Sequence, residues 1–155
     1  YFSRDTNTVY PPYLEFKWDD STYSSTLTEL STDIATIGIK NAKEKYNDSD
    51  SVRFRLSVRP KYPTRTFTTS SIYLTEFKLP TASYWGVKDE KTGEMVIDFD
   101  TSFTKLSADN TSNYFDVTMN SFHPERYYRL LVKTTVNDST IVIDNKNIFK
   151  VTKHG

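Results

Sequence analysis

Residues 52–59 read VRFRLSVR, an alternation without a break. Val52, Phe54, Leu56 and Val58 fall on one side, and Arg53, Arg55, Ser57 and Arg59 on the other. A period of two belongs to a strand with one face on a core and one face in water. The pattern also fixes register, because a slip of one residue would turn the arginines inward. The same alternation recurs in ATIGIK (Ile37, Ile39), NYFDVTMN (Phe115, Val117, Met119), YYRLLVKTTV (Tyr128, Leu130, Val132) and STIVID (Ile141, Ile143). YLEFKWD would bury Leu14, Phe16 and Trp18, and SIYLTEFKL reads as a further strand. SYWGVKDEKTGEMVIDFD reads as a hairpin turning at Lys91-Thr92-Gly93, with Gly93 at positive φ. A turn over Asp144–Asn147 would precede a last strand from Ile148 to Val151. Only IKNAKEKYN hints at helix, and it has no apolar stripe. Short strands, polar turns and no βα alternation predict an all-β fold, an antiparallel β-sandwich.

Composition narrows what such a fold can do. The chain has 155 residues, with 20 acidic against 20 basic, so no global field draws it to nucleic acid or to an anionic membrane. No apolar run approaches the ~20 residues of a membrane-spanning helix. Cysteine is absent, which excludes disulfides and thiolate metal sites and favours assembly in a reducing cytoplasm. The start, YFSRDTNTVYPPYLEF, reads as part of a longer polypeptide. Residues 1–30 are expected to be the closing stub of a preceding β module or a linker, and residues 31–155 the sandwich.

Residues 121–133, SFHPERYYRLLVK, place Phe122, Pro124 and Tyr128 just before a clear strand. A tyrosine there can lock a crossing between two sheets by bonding its hydroxyl to backbone a few residues upstream. The spacing resembles the tyrosine corner of fibronectin type III and related immunoglobulin-like domains. That likeness implies a structural corner of Phe122, Pro124 and Tyr128 in an immunoglobulin-like sandwich. It departs from the family at Glu125, where glycine is usual, and in lacking a strand-B tryptophan, for which Trp85 is the substitute. A wider resemblance runs through YFSRDTNTVYPPYLEFKWDD, VRFRLSVRPKYPTRTF, LPTASYWGVKDEKTGEMVIDFD and TKLSADNTSNYFDVTMNSFHPERYYRLLVK. Together these are similar to a virion structural protein of large contractile-tailed bacteriophages. The resemblance implies a non-catalytic module of the virion, assembled in the host cytoplasm and docked to other virion proteins as a homo- or hetero-oligomer.

Chemistry is sparse. The two histidines, His123 and His154, stand apart, and no glycine-rich phosphate loop exists. Asp98 and Asp100 share a face and could take Ca²⁺ with loop oxygens from SADNTSN, but aspartates in such positions are ordinary turn formers. The expectation is no catalytic site, no metal and no cofactor. Arg53, Arg55 and Arg59 either meet an acidic partner or line a solvated sheet face. In Tyr84-Trp85 and in Tyr127-Tyr128 alternation turns one ring outward, so Tyr84 and Trp85 are candidates to anchor a protein interface or to stack on a sugar. A carbohydrate- or receptor-binding role would show as a shallow groove floored by Trp85 or Tyr84 beside convergent polar groups.

Overall fold

A computed structural model describes residues 16–67 and 71–155. Among them run the strands β1 (Ala35–Ile39), β2 (Lys45–Asn47), β3 (Ser51–Pro60), β4 (Ser83–Asp89), β5 (Met95–Ile97), β6 (Ser107–Ala108), β7 (Asn113–Thr118), β8 (Tyr127–Val136) and β9 (Ser139–Thr152). They form a four-stranded sheet in the order β1-β3-β7-β6 and a five-stranded sheet in the order β2-β9-β8-β4-β5. Neighbours are antiparallel except β2 and β9, which run parallel. The two sheets pack face to face as an all-β sandwich.

Alternation placed the core. Phe54, Leu56 and Val58 of β3, Phe115 and Val117 of β7, and Tyr128, Leu130 and Val132 of β8 are all buried between the sheets. With no disulfide to cross that space, aromatic rings fill it. Trp85 stacks on Phe115 at 5.1 Å between centroids, and Phe115 on Phe54 at 5.4 Å. Tyr46 then meets both Phe54 and Phe149 edge-on at 5.7 Å. Such offset and edge contacts add about 0.5–1.5 kcal/mol per pair beyond the area they bury. The buried polar groups are matched as well. The Ser83 and Thr134 hydroxyls bond each other at 2.7 Å. The Asn113 side chain accepts from the Leu79 N–H at 2.7 Å and donates to the Ser107 carbonyl at 3.2 Å.

The turn at Gly93 forms as expected, with φ at 75°. Four other expectations are corrected. Asp144–Asn147 is not a turn, because β9 continues through it against β8. Leu130 pairs with Asn147 and Val132 with Ile143, so the extra residues bulge out of the ladder, helped by Lys146 at φ 55°. The hairpin turn lies earlier, at Asn137-Asp138, both at positive φ between Val136 and Ser139. IKNAKEKYN is not helical: it leaves β1, changes sheets and enters β2. SIYLTEFKL is not a strand: a 3-10 turn at Ile72–Leu74 leads to a single bridge between Lys78 and Glu29. Of YLEFKWD, residues 13–15 lie outside the described residues, and Phe16 and Trp18 are exposed, since the segment has no ladder partner to give it a buried face.

The expected boundary between residues 30 and 31 runs through packed structure. Tyr23 bridges Ala108, the Leu30 N–H donates to the Lys78 carbonyl at 2.8 Å, and the Leu30 side chain is buried in the core. The described part of the first thirty residues therefore lies along the sandwich, and residues 1–15 are outside the described range.

Candidate interaction surfaces

The arginines of β3 face away from the core, as their register requires. Arg53 makes a bidentate pair with Asp116, Nε to Oδ1 at 2.8 Å and Nη2 to Oδ2 at 2.9 Å. Asp116 stands opposite Arg53 on β7, so the pair is set by strand register. Arg55 reaches Asp109 through both terminal nitrogens, at 3.2 and 2.9 Å, and both guanidinium groups lie over the Tyr114 ring. Arg55 beside Asp109 pulls that carboxyl down to about 2, with help from the Ser112 and Thr111 N–H groups. Asp116 in turn pushes the Arg53 guanidinium further toward its charged form. Arg59 lies over the Tyr73 ring at 5.2 Å. The stripe is thus a zipper of internal pairs, each partly open to water.

Tyr84 and Trp85 part company. Trp85 shares the inward side of β4 with Ser83 and Val87 and is 6% exposed, so the expectation of Trp85 as an outward anchor is corrected. Tyr84, half-buried, takes the other side. Gly86 lies next on that outer side. A Cβ there would stand 2.9 Å from the flexible end of Met95 and 3.2 Å from the Ile97 carbonyl, so any side chain would make the adjoining β5 shift by a few tenths of an ångström.

Of the corner residues, Phe122 and Tyr128 come together and Pro124 is exposed between them in sequence. Tyr128 is buried, its ring 4.8 Å from Phe122, and its hydroxyl donates to the His123 carbonyl at 3.0 Å. Burial pushes the phenol up, while the hydrogen bond at His123 works the other way. Glu125, in the place where glycine was expected, has φ 65°. Its N–H donates to the Val151 carbonyl at 2.7 Å and its carboxylate pairs with Lys150, so two contacts hold an uncommon conformation.

The carboxylates weighed for Ca²⁺, Asp98 and Asp100, and Asp109 of SADNTSN each accept local backbone N–H groups, Asp98 Oδ1 that of Phe99 at 2.8 Å. Asp100 Oδ1 accepts the Ser102 and Phe103 N–H groups, and Asp109 Oδ1 those of Thr111 and Ser112. Among the described residues, no three His, Cys, Asp or Glu side chains are grouped to hold a metal ion.

Two surfaces are not outlined by the sequence, although Arg53 and Trp85, both candidates there, line the second. The first is the crossing from β3 to β4. Tyr62 is 76% exposed and Leu74 77%, with Phe67, Tyr73 and Ile34 also open. Two adjoining hollows of roughly 560 and 530 Å³ share Thr66 and Ile72 along this stretch. The signal was available: aromatics among Pro60, Pro63 and threonines have no alternation to place them inside. The second is a cleft of roughly 460 Å³ lined by Trp18, Arg53, Phe103, Tyr114 and Asp116, with Trp85 in its wall.

The fold and these surfaces define a class, a two-sheet β-sandwich with exposed aromatic side chains. Compared with protein-family models, curated proteins and solved structures, the chain matches none.

Proposed function

We propose that this is an immunoglobulin-like module that docks to neighbouring subunits of a larger assembly through the β3–β4 crossing. The observation that carries the reading is the cluster of Tyr62, Phe67, Tyr73 and Leu74, exposed on a chain whose core is otherwise closed. Apolar side chains gathered like this on one stretch of surface are a mark of protein contact. Aromatic rings with adjacent arginine, here Tyr73 under Arg59, are the side chains such contacts favour.

Three features support the immunoglobulin-like assignment. Sheet orders β1-β3-β7-β6 and β2-β9-β8-β4-β5 correspond to strands A-B-E-D and, past the extra edge strand β2, G-F-C with an added C′. Trp85 is a buried tryptophan on the strand that would be C. Tyr128 lies near the start of the strand that would be F, and Leu130 fills the place two residues on where many such domains have cysteine. The setting, a virion of a contractile-tailed phage with other virion proteins as partners, rests on the sequence resemblance.

A photoreactive phenylalanine at position 73, introduced in cells that build the native assembly, tests the reading. It should cross-link to a neighbouring subunit, whereas the same group at position 142, exposed on β9, should not. Cross-linking confined to position 142 would place the docking face elsewhere.

A further inference from the structure

The cleft beside Trp18 shares no lining residue with the β3–β4 crossing and points to a different kind of ligand. Lys17 pairs with Asp100 at 3.3 Å and Asp19 with Lys105 at 3.2 Å. These two ion pairs tie residues 17–19 to the loop between β5 and β6, and Trp18 lies between them in sequence. Its ring is 62% exposed and lines the cleft together with Phe103, whose centroid is 6.5 Å from the buried Trp85. At roughly 460 Å³ the space has the size of a small-molecule site.

The polar lining narrows the ligand. Arg53 and Asp116 face each other as a bidentate pair that uses Nε and Nη2 of the guanidinium. That leaves the Nη1 hydrogens, and lone pairs on both carboxylate oxygens, for a third party. Donors beside acceptors at fixed spacing match vicinal hydroxyls, each of which both donates and accepts. Charge is balanced across the lining, with Asp20 and Asp116 against Arg53 and Lys105. A phosphate or carboxylate would meet the like charges of Asp20 and Asp116 beside each cation, whereas a neutral polyhydroxyl ring would meet no such repulsion. An exposed indole beside such groups offers a flat apolar platform for the C–H face of a sugar.

We infer that the cleft binds a neutral sugar ring of an oligosaccharide, with Trp18 as the stacking platform and Arg53 and Asp116 reading its hydroxyls. The site goes beyond the docking reading, and either can fail without the other. The test titrates the chain with cellohexaose, chitohexaose and mannohexaose, and with a heparin hexasaccharide as the anionic control. Tryptophan fluorescence and saturation-transfer NMR report binding.

At least one neutral hexaose should bind with millimolar or better affinity. Trp18→Ala should weaken it at least about tenfold, as truncating an exposed aromatic anchor does. Trp18→Phe should restore most of the affinity, Arg53→Met should weaken it, and the melting curve of Trp18→Ala should stay unchanged. Three results overturn the proposal: no neutral hexaose binding, heparin binding in preference to all of them, or equal binding by Trp18→Ala. Loss of self-association in Trp18→Ala with no sugar bound would make the cleft a protein contact instead, and would also overturn it.

Discussion

Of the three stretches that carry the described chain from the four-stranded sheet to the five-stranded one, the two that follow β3 and β7 are built differently. The first runs from the end of β3 to the start of β4, over residues 61–82; the second runs from β7 to β8, over residues 119–126. The short crossing buries its apolar groups. Met119 and Phe122 are inside, Tyr128 closes over Phe122, and its hydroxyl is bonded to the His123 carbonyl within the crossing. The long crossing is fastened mainly at its far end, where Leu79 is held by Asn113 at its N–H and by the Tyr23 hydroxyl at its carbonyl. Before that anchor, Tyr62, Tyr73 and Leu74 stand in water. The lesson is a division of labour. Apolar residues on the short crossing hold the sheets together, while Tyr62, Phe67, Tyr73 and Leu74 on the long one stay exposed, as the proposed docking surface.

Substitutions can break this contrast. The largest effect is expected at the short crossing. Phe122→Ala should cost about 3–5 kcal/mol, the usual penalty for truncating a buried phenylalanine. Tyr62→Ser and Leu74→Ser on the long crossing should stay within about 0.5 kcal/mol in the same denaturant melts. Comparable losses on both crossings would erase the distinction.

Next comes the anchor. Asn113→Ala would strand the Leu79 N–H and the Ser107 carbonyl in the interior, so a loss of about 1–3 kcal/mol is expected. A loss much smaller than that in urea unfolding would mean the long crossing is fastened elsewhere.

Tyr128→Phe sharpens the account of the corner. Removing the hydroxyl leaves the ring packed but the bond to His123 gone, for about 1–2 kcal/mol. Tyr127→Phe, on the exposed neighbour, should be nearly silent in thermal melts. Equal effects at the two positions would detach stability from the corner bond.

The smallest effect belongs to the arginine face, which lies on neither crossing. Asp109 is held at about 2 in the folded chain, below the ~3.9 of a free aspartate. A carboxyl depressed by folding contributes stability that is complete above its unfolded value and lost as pH falls through its folded one. Asp109→Asn should therefore flatten the acid limb of the stability profile between about pH 4 and pH 2 and change little at pH 7 beyond a modest constant loss. The salt dependence should be visible too, since the Arg55–Asp109 pair is partly open to solvent.

Much of the sandwich was legible because β3, β7 and β8 each have a partner on both sides and one face on the core, so alternation records their environment directly. The same logic places Trp85 inward beside Val87, and the pairing of Tyr84 with Trp85 as surface candidates overlooked it. Residues 71–79 look like a strand, yet they belong to the crossing itself: Leu79 is buried and Phe77 packs on the core with only the single Lys78–Glu29 bridge in place of a ladder. Asp144–Asn147 carries turn residues, yet the long partner β8 absorbs them as a bulge. The surfaces were the least legible. Trp18 lines a cleft because two ion pairs to residues 100 and 105 hold its segment there, and partners more than eighty positions apart leave no local pattern.

Hydrogen exchange resolved to single residues, on the free chain and on the chain within its assembly, tests the central contrast most directly. In the free chain the N–H groups of Phe122 and Glu125, bonded to Met119 and Val151, should exchange only with global unfolding, while residues 62–67 and 72–74 exchange much faster. In the assembly the short crossing should not change, and the long one should slow markedly as its aromatic residues are covered. A long crossing as protected in the free chain as the short one, or one that gains no protection in the assembly, would contradict the account.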